Sequence, residues 1–226
     1  MPRPTKTAIV ASLLAGYGQT FSAEAGFDAN RNQPAPLFRL LCLSLLLSAP
    51  IRSEVAVEAA RALARRGWTT APRMAAAPWD ERARTLKAAG YARYDERTST
   101  QLERTASKVQ TRWKGDLRRL REEAEHDPAV ERRLLAECKG IGDVGVDIFF
   151  REIQLAWDEL FPFADERTLR AADRLGLAAT PRRLAALVAR HDMTRLVAAL
   201  VRVDLRDAYG DVMERVRLPR SDRQGR

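Results

Sequence analysis

Residues 134–150, LLAECKGIGDVGVDIFF, place Gly140, Gly142 and Gly145 between two segments whose apolar residues recur at helical spacing. Glycine reaches backbone conformations closed to other residues, so such a run turns the chain tightly and delivers it to the start of a new helix. The bare N–H groups there, together with the positive end of the helix dipole, favour an anion. A phosphate is the natural guest, although a glycine hairpin alone is equally consistent with a plain helix connection. A carboxylate, Asp165, follows in FPFADERTLRAADRLGL.

The rest of the chain supports the same architecture. Helical signals dominate, no segment alternates convincingly with period two, and the predicted fold class is all-α. A first helix is expected near 7–14, followed by a Gly-rich polar linker at 26–33. Pro34 and Pro36 introduce an apolar helix at 37–49, which Pro50 stops, and Ser53 is the expected cap of a helix at about 54–66. Asp80 after Pro78 opens a short helix ending at Gly90, and a long amphipathic stretch fills 95–113. A mixed-charge segment at 117–125 reads as a solvated face. Asp127-Pro128 starts the helix at 128–137 that enters the glycine hairpin, and Val146, Phe149, Phe150, Ile153, Trp157 and Leu160 predict one buried face over about 144–160. Further helices are expected at 167–175, from 181 to about 190 and over most of 192–215. Residues 219–226 read as a disordered basic tail.

Composition narrows the function classes. With 226 residues, 46% hydrophobic and 31% charged, the chain has the makeup of a globular protein able to bury a sizeable core. A formal charge of +9 points toward a polyanionic partner. Arg greatly outnumbers Lys and Ala is abundant, as GC-rich coding produces by itself, so the charge is a weak hint. Cys42 and Cys138 lie far apart in apolar surroundings, which suits reduced thiols in the cytoplasm and provides neither a disulfide framework nor a cysteine cluster. The one strongly apolar run, 37–49, contains Arg39 and is too short for a membrane span. No signal-peptide core follows the basic N-terminus.

Several segments, taken in order, resemble the endonuclease III-like branch of the helix-hairpin-helix DNA glycosylases. Residues 138–145, CKGIGDVG, are similar to the family's L-P-G-[VI]-G-x-x-T hairpin. Pro36-Leu37-Phe38 through Leu45-Leu46-Leu47-Ser48-Ala49 resembles P-F-x-x-L…L-L-S-A-Q, and Gly90-Tyr91-Ala92-Arg93 resembles G-Y-Y-x-R. Residues 165–177 resemble D-x-H-x-x-R-x-x-x-R-L-G-L, with Arg170 and Arg174 at its basic positions. The resemblance covers about 34–177. It implies two helical domains with a catalytic cleft between them and no iron–sulfur cluster, whose C-terminal cysteines this chain lacks. The implied division is a barrel-like domain at 34–164, carrying the hairpin at about 128–160, and a second domain from 1–33 plus 165–218.

The resemblance also implies residue roles. Asp165 falls on the catalytic aspartate, which stabilises the cationic sugar formed as a flipped base leaves. Lys139, Gly140, Gly142 and Gly145 fall on the DNA-gripping hairpin, and the carbonyls of Ala136, Cys138 and Ile141 on those that hold a structural monovalent cation. Departures modify the chemistry. The Schiff-base lysine is Val144, which cannot form an imine, so lyase activity by that route is not expected. Simple core packing is the expected role of Val144. The wedge glutamine is Pro50, and Arg52 is the candidate to replace it; Lys139 stands for the hairpin proline, Asp143 brings an opposing charge, and Arg167 replaces a histidine.

Plainer roles are expected elsewhere: core packing for Trp113 and Trp157, packing ahead of base stacking for Tyr91 and Tyr94, and surface or capping positions for His126 and His191. The expectation is thus a monomeric, cytoplasmic, nucleoid-associated N-glycosylase without lyase activity, acting on double-stranded DNA. Two alternatives stay open: a non-catalytic DNA-binding protein with the same fold, and a helical interaction module with no nucleic-acid role.

Overall fold

The computed structural model describes residues 4–177 and 179–217, so the expected basic tail at 219–226 lies outside the described residues. Among these the chain is all-α, as expected, with fourteen α-helices. They are α1 (Lys6–Tyr17), α2 (Phe21–Glu24), α3 (Pro34–Leu47), α4 (Ser53–Arg65), α5 (Ala71–Ala76), α6 (Trp79–Ala88) and α7 (Asp95–Trp113), then α8 (Arg118–Glu123), α9 (Pro128–Ala136), α10 (Asp143–Ile153), α11 (Glu166–Arg174), α12 (Pro181–Ala185), α13 (Met193–Arg206) and α14 (Tyr209–Arg217). Among the described residues no helix is long and apolar enough to cross a membrane.

Two compact units divide the chain, one spanning 21–160 and the other built from 4–20 and 161–217. The divisions fall at 20/21 and 160/161, whereas the resemblance implies 33/34 and 164/165. Residues 21–33 join the larger unit for a physical reason. The buried Glu152 carboxylate accepts the backbone N–H groups of Phe21 and Ser22 at 3.1 and 3.0 Å, and the Trp157 indole donates to Asn32 at 3.1 Å.

In the larger unit, α3 is the central helix, with Leu37, Phe38, Leu40, Leu41, Leu43 and Leu46 fully buried. Helices α4, α10 and the 3-10 turn Ala29–Arg31 pack against it. Buried Arg82 ties α5, α6 and α7 together by donating to the carbonyls of Met74, Ala77 and Ser99. Because every one of these acceptors is a backbone oxygen, the guanidinium also satisfies polar groups that burial would otherwise leave unpaired. In the smaller unit, α1, α11, α13 and α14 enclose a core that includes Leu13, Ala171, Leu196, Val197, Leu200 and Val212.

Several local expectations are corrected. Ser53 is not the cap of α4: Arg52 holds that position, its carbonyl accepting from Val55 and Ala56, and Ser53 is the first helical residue. Similarly, Pro78 and not Asp80 precedes α6, placing Asp80 in its first turn. The helix expected over 144–160 ends at Ile153, because the chain tightens into turns from which Trp157 and Leu160 still reach the core. The polar linker at 26–33 includes the 3-10 turn that Asp28 caps. The helix expected from 181 to 190 stops at Ala185; residues 192–215 are mostly helical, as expected, with a break at left-handed Asp207. The charged residues at 117–125 do form a solvated face, with Arg118, Arg119, Glu122 and Glu123 exposed, while Leu117, Leu120 and Ala124 are buried beneath it.

Candidate functional site

The hairpin is assembled from local signals. Asp127 caps α9 by accepting from the N–H groups of Ala129 and Val130 at 2.7 and 3.2 Å, with Pro128 at the first helical position. Leu134 and Leu135 turn inward, and the chain leaves α9 through Glu137. The Ile141 N–H closes a turn on the Cys138 carbonyl at 3.0 Å. Gly140 sits at φ +92°, where a side chain is strained, and its Cβ would come within 2.8 Å of Gln101 Cδ. Gly142 is extended and caps α10 without a side-chain bond, leaving the first N–H groups of that helix for an outside acceptor.

Supporting contacts fix this geometry from several directions. Arg132 on α9 pairs with Asp147 on α10 at 2.6 Å and lies 5.2 Å from the Phe150 ring centre. Thr105 Oγ1 donates to the Lys139 carbonyl at 2.9 Å. Lys108 and Arg112 both reach the Glu137 carboxylate, at 2.7 and 2.5 Å. The Lys108 hydrogen bond, the largest influence, holds the Glu137 carboxyl below its ordinary range. The hairpin is therefore tied to α7 along its length.

Site residues expected from the sequence separate into an outward face and a packed face. Lys139, Gly142 and Asp143 are exposed. Val144 is also exposed, at 61%, which corrects the expectation of core packing: as the second residue of α10 it faces outward in the first turn, while Gly145 and Val146 are buried. A Cβ at Gly145 would lie 3.0 Å from Ser48 Oγ and 3.3 Å from Ile141 Cγ2, so the glycine lets the end of α3 approach α10 closely. Arg52, the candidate wedge, is exposed at the N-terminus of α4 and does not line the cleft described next, whereas Pro50 does.

That cleft, of about 170 Å³, is bounded by Ser48, Pro50, Tyr94, Arg97, Gln101 and Gly140. Arg97, Gln101 and Gly140 are shared with an adjoining groove that also takes in Thr100 and Lys139. Arg97, Thr100 and Gln101 are not among the residues expected from the sequence; the only signal there is that Thr100 and Gln101 lie three and four residues after Arg97 on α7, which puts each on its face. Tyr91 is fully buried, packing as expected, and donates to the Leu46 carbonyl at 3.0 Å, anchoring the end of α3. Tyr94 is half-buried on the cleft wall.

In the smaller unit Asp165 is half-buried and caps α11, its Oδ1 accepting from the Thr168 N–H at 3.0 Å and from the Thr168 hydroxyl. Two bonds to one oxygen fix the carboxylate's rotamer. Arg170 pairs with Glu166 and Arg174 with Asp207, both on exposed surface. Arg167 pairs with Asp204 at 3.1 Å.

Other reactive groups take structural roles. Cys42 and Cys138 are free and buried, and burial raises both thiols, Cys138 to about 12, so neither supplies a thiolate near neutral pH. Among the described residues no cluster of His, Cys, Asp or Glu could hold a metal ion. For a monovalent cation the test is the carbonyl set: Cys138 already accepts from Ile141, and its second lone pair, with the Ala136 and Ile141 carbonyls, offers the oxygen chemistry such an ion takes. Trp113 and Trp157 are core residues, as expected, and the His126 and His191 side chains are exposed at 54% and 80%.

Comparison with known proteins adds little chemistry. No protein-family model matches the chain, and no curated protein matches it. Among solved structures, an endonuclease III trapped as a covalent intermediate with DNA, in an estranged-adenine complex, is similar at TM-score 0.47 and 13% identity. The match spans 72% of this chain and 71% of that one. A likeness this weak assigns no residue its role.

Proposed function

We propose that this chain binds double-stranded DNA through the hairpin and hydrolyses the N-glycosidic bond of a flipped base, using Asp165 and water. The observation that carries the proposal is the hairpin itself. It offers uncapped N–H groups at the start of α10, with exposed Lys139 beside them; the Arg132–Asp147 pair ties its two helices together and contacts from Thr105 and Lys108 of α7 brace it. That arrangement suits a backbone phosphate, which positions a protein on DNA without reading its sequence. The Ala136, Cys138 and Ile141 carbonyls would hold a monovalent cation, which when bound would add positive charge at the phosphate.

Catalysis is assigned to Asp165. As the C1′–N bond of the extruded nucleotide breaks, positive charge develops on the sugar, and a carboxylate of fixed orientation stabilises it. The same carboxylate accepts a proton from the attacking water, the C1′–O bond forms, and the departing base takes up a proton. Val144 presents no amine at the exposed start of α10, so the abasic product is released uncleaved.

The test is a panel of duplexes carrying oxidised, deaminated, alkylated or mismatched bases, treated with alkali after incubation to reveal abasic sites. Alkali-labile sites that disappear with Asp165→Asn support the reading. Pro50 and Val144, both at the surface positions where the resembling family has a glutamine and a lysine, favour a second reading, a DNA-binding protein without catalysis. It is distinguished by salt-dependent retention of every duplex with release of no base, and by loss of that retention in Lys139→Glu.

A further inference from the structure

One residue lining the groove next to the hairpin, Thr100, bonds an unexpected side chain outside it. Trp79, the first residue of α6, is 45% exposed, one of the large hydrophobic residues at the surface among the described residues. Burial of its indole would be the default, since a tryptophan exposed to water forgoes much of its hydrophobic stabilisation. Nor is the ring loose. Its Nε1–H donates to Thr100 Oγ1 at 3.0 Å, Thr100 Oγ1 donates in turn to the Glu96 carbonyl at 3.2 Å, and the Ser99 hydroxyl donates to the Trp79 carbonyl at 2.8 Å. The polar edge is thereby anchored to α7, and apolar ring surface remains available to a partner.

Thr100, the residue that anchors the indole, also lines the groove of about 450 Å³ with Arg97, Gln101, Lys139 and Gly140. This volume falls within the range of ~300–1,000 Å³ typical of small-molecule sites. Its charge is one-sided. Arg97 and Lys139 are exposed and have no acidic partner among the described residues, whereas nearby Lys108, Arg112 and Arg84 are tied to Glu137, Glu123 and Asp80. An aromatic ring anchored to Thr100, in the wall of a groove that carries two unpaired cations, has the makeup of a site for one nucleotide: a base has a flat face for the ring, and its phosphate has charge for the cations.

We propose that this groove holds an unpaired nucleotide adjoining the gripped duplex, its base stacked on Trp79 and its phosphate contacted by Arg97 and Lys139. The base must be unpaired, because in a duplex the base faces are hidden in the stack and only the groove edges are open. Stacking is indifferent to base identity, so the preference is for strand structure and not for sequence. The proposal rests on the hairpin reading above, which supplies the neighbouring phosphate grip.

The experiment compares a labelled blunt duplex with the same duplex bearing a short oligothymidine extension, by fluorescence anisotropy at low salt. The expected result is tighter binding of the tailed duplex by roughly tenfold, the size of one base–aromatic stack, together with quenching of tryptophan fluorescence. Trp79→Ala and Arg97→Glu should each bring the ratio of affinities close to one, and Trp79→Phe should keep most of it. Both replaced residues are at the surface, and a circular-dichroism melt verifies that each variant is folded. A wild-type ratio of one, or a ratio that survives Trp79→Ala, overturns the proposal. If the protein retains the blunt duplex in a Lys139-dependent way but ignores the tail, only this proposal falls; if it retains neither duplex, the hairpin reading falls with it.

Discussion

Replacing Gly140 by alanine separates backbone strain from crowding at the hairpin. At φ +92° an added Cβ costs about 1–3 kcal/mol whatever surrounds it. The same Cβ would also meet Gln101 Cδ at 2.8 Å, but that atom ends a flexible side chain that can swing away, so strain is the larger part. Taking about 2 kcal/mol, and a shift of ~2–4 °C per kcal/mol for a chain of this size, Gly140→Ala should melt roughly 4–8 °C below wild type. Adding Gln101→Ala removes the crowding and leaves the strain, so the double variant should recover little of that loss. Gly142→Ala provides the contrast: its φ of −103° suits any residue and its Cβ would meet nothing within 4 Å. It should cost about 1 kcal/mol or less as a cap change, yet weaken DNA retention by placing a methyl group where a phosphate would approach. Thermal melts and anisotropy titrations on the same preparations read both effects. A Gly140→Ala melt within about 1 °C of wild type, or full rescue by Gln101→Ala, would refute the assignment to backbone conformation.

Further outcomes follow from buried charge and from the exposed valine. Glu131 is fully buried; burial and then the neighbouring Glu159 raise its carboxyl, while Glu159, against its own partial burial, is held low by the bidentate Arg121 pair at 2.6 Å and by Glu131. A raised carboxyl contributes stability that is fully present below its unfolded pKa of about 4.3 and is lost as pH rises toward its folded value of about 9, so the wild type should lose stability between those values and no further above them. Glu131→Gln, neutral throughout, should flatten that loss in chemical denaturation, and an equal slope in both proteins between about pH 4.3 and 9 would contradict the raised carboxyl. Glu159, with its lowered value, contributes stability present above its unfolded pKa and lost as pH falls, and Glu159→Gln should shrink the acid-side loss. Val144→Lys at an exposed position should change stability by less than about 0.5 kcal/mol and steepen the salt dependence of DNA binding by about one phosphate contact. The wild type should give no borohydride-trapped adduct with abasic DNA, and such an adduct would show that an amine elsewhere does the work assigned to water.

What could be read from the sequence was what local chemistry decides. Asp127-Pro128 opens α9 and the Asp95–Trp113 helix has its expected bounds, because caps and breakers act within one turn. Val144 was misplaced because its environment depends on how the hairpin hands the chain to α10, a matter of one helical position. The overrun beyond Ile153 arose because Trp157 and Leu160 remain apolar and buried after the helix has ended. Short α5 carries too few residues for a periodic signal. The groove was illegible for a different reason. It combines one face of α7 with the hairpin, and the adjoining cleft adds the end of α3, elements that come together only in tertiary structure; the tryptophan beside it is anchored by a threonine on a neighbouring helix.

The central claim is that Asp165 hydrolyses the glycosidic bond of a base in DNA that the hairpin holds. The most direct measurement is base release from the lesion panel by wild type and by Asp165→Asn, with DNA retention followed in parallel. The expected result is alkali-labile sites on at least one lesion with the wild type and none with Asp165→Asn, while both proteins retain the duplex. Release that continues unchanged in Asp165→Asn would contradict the mechanism, and retention with no release from any lesion by the wild type would leave a DNA-binding protein in place of an enzyme.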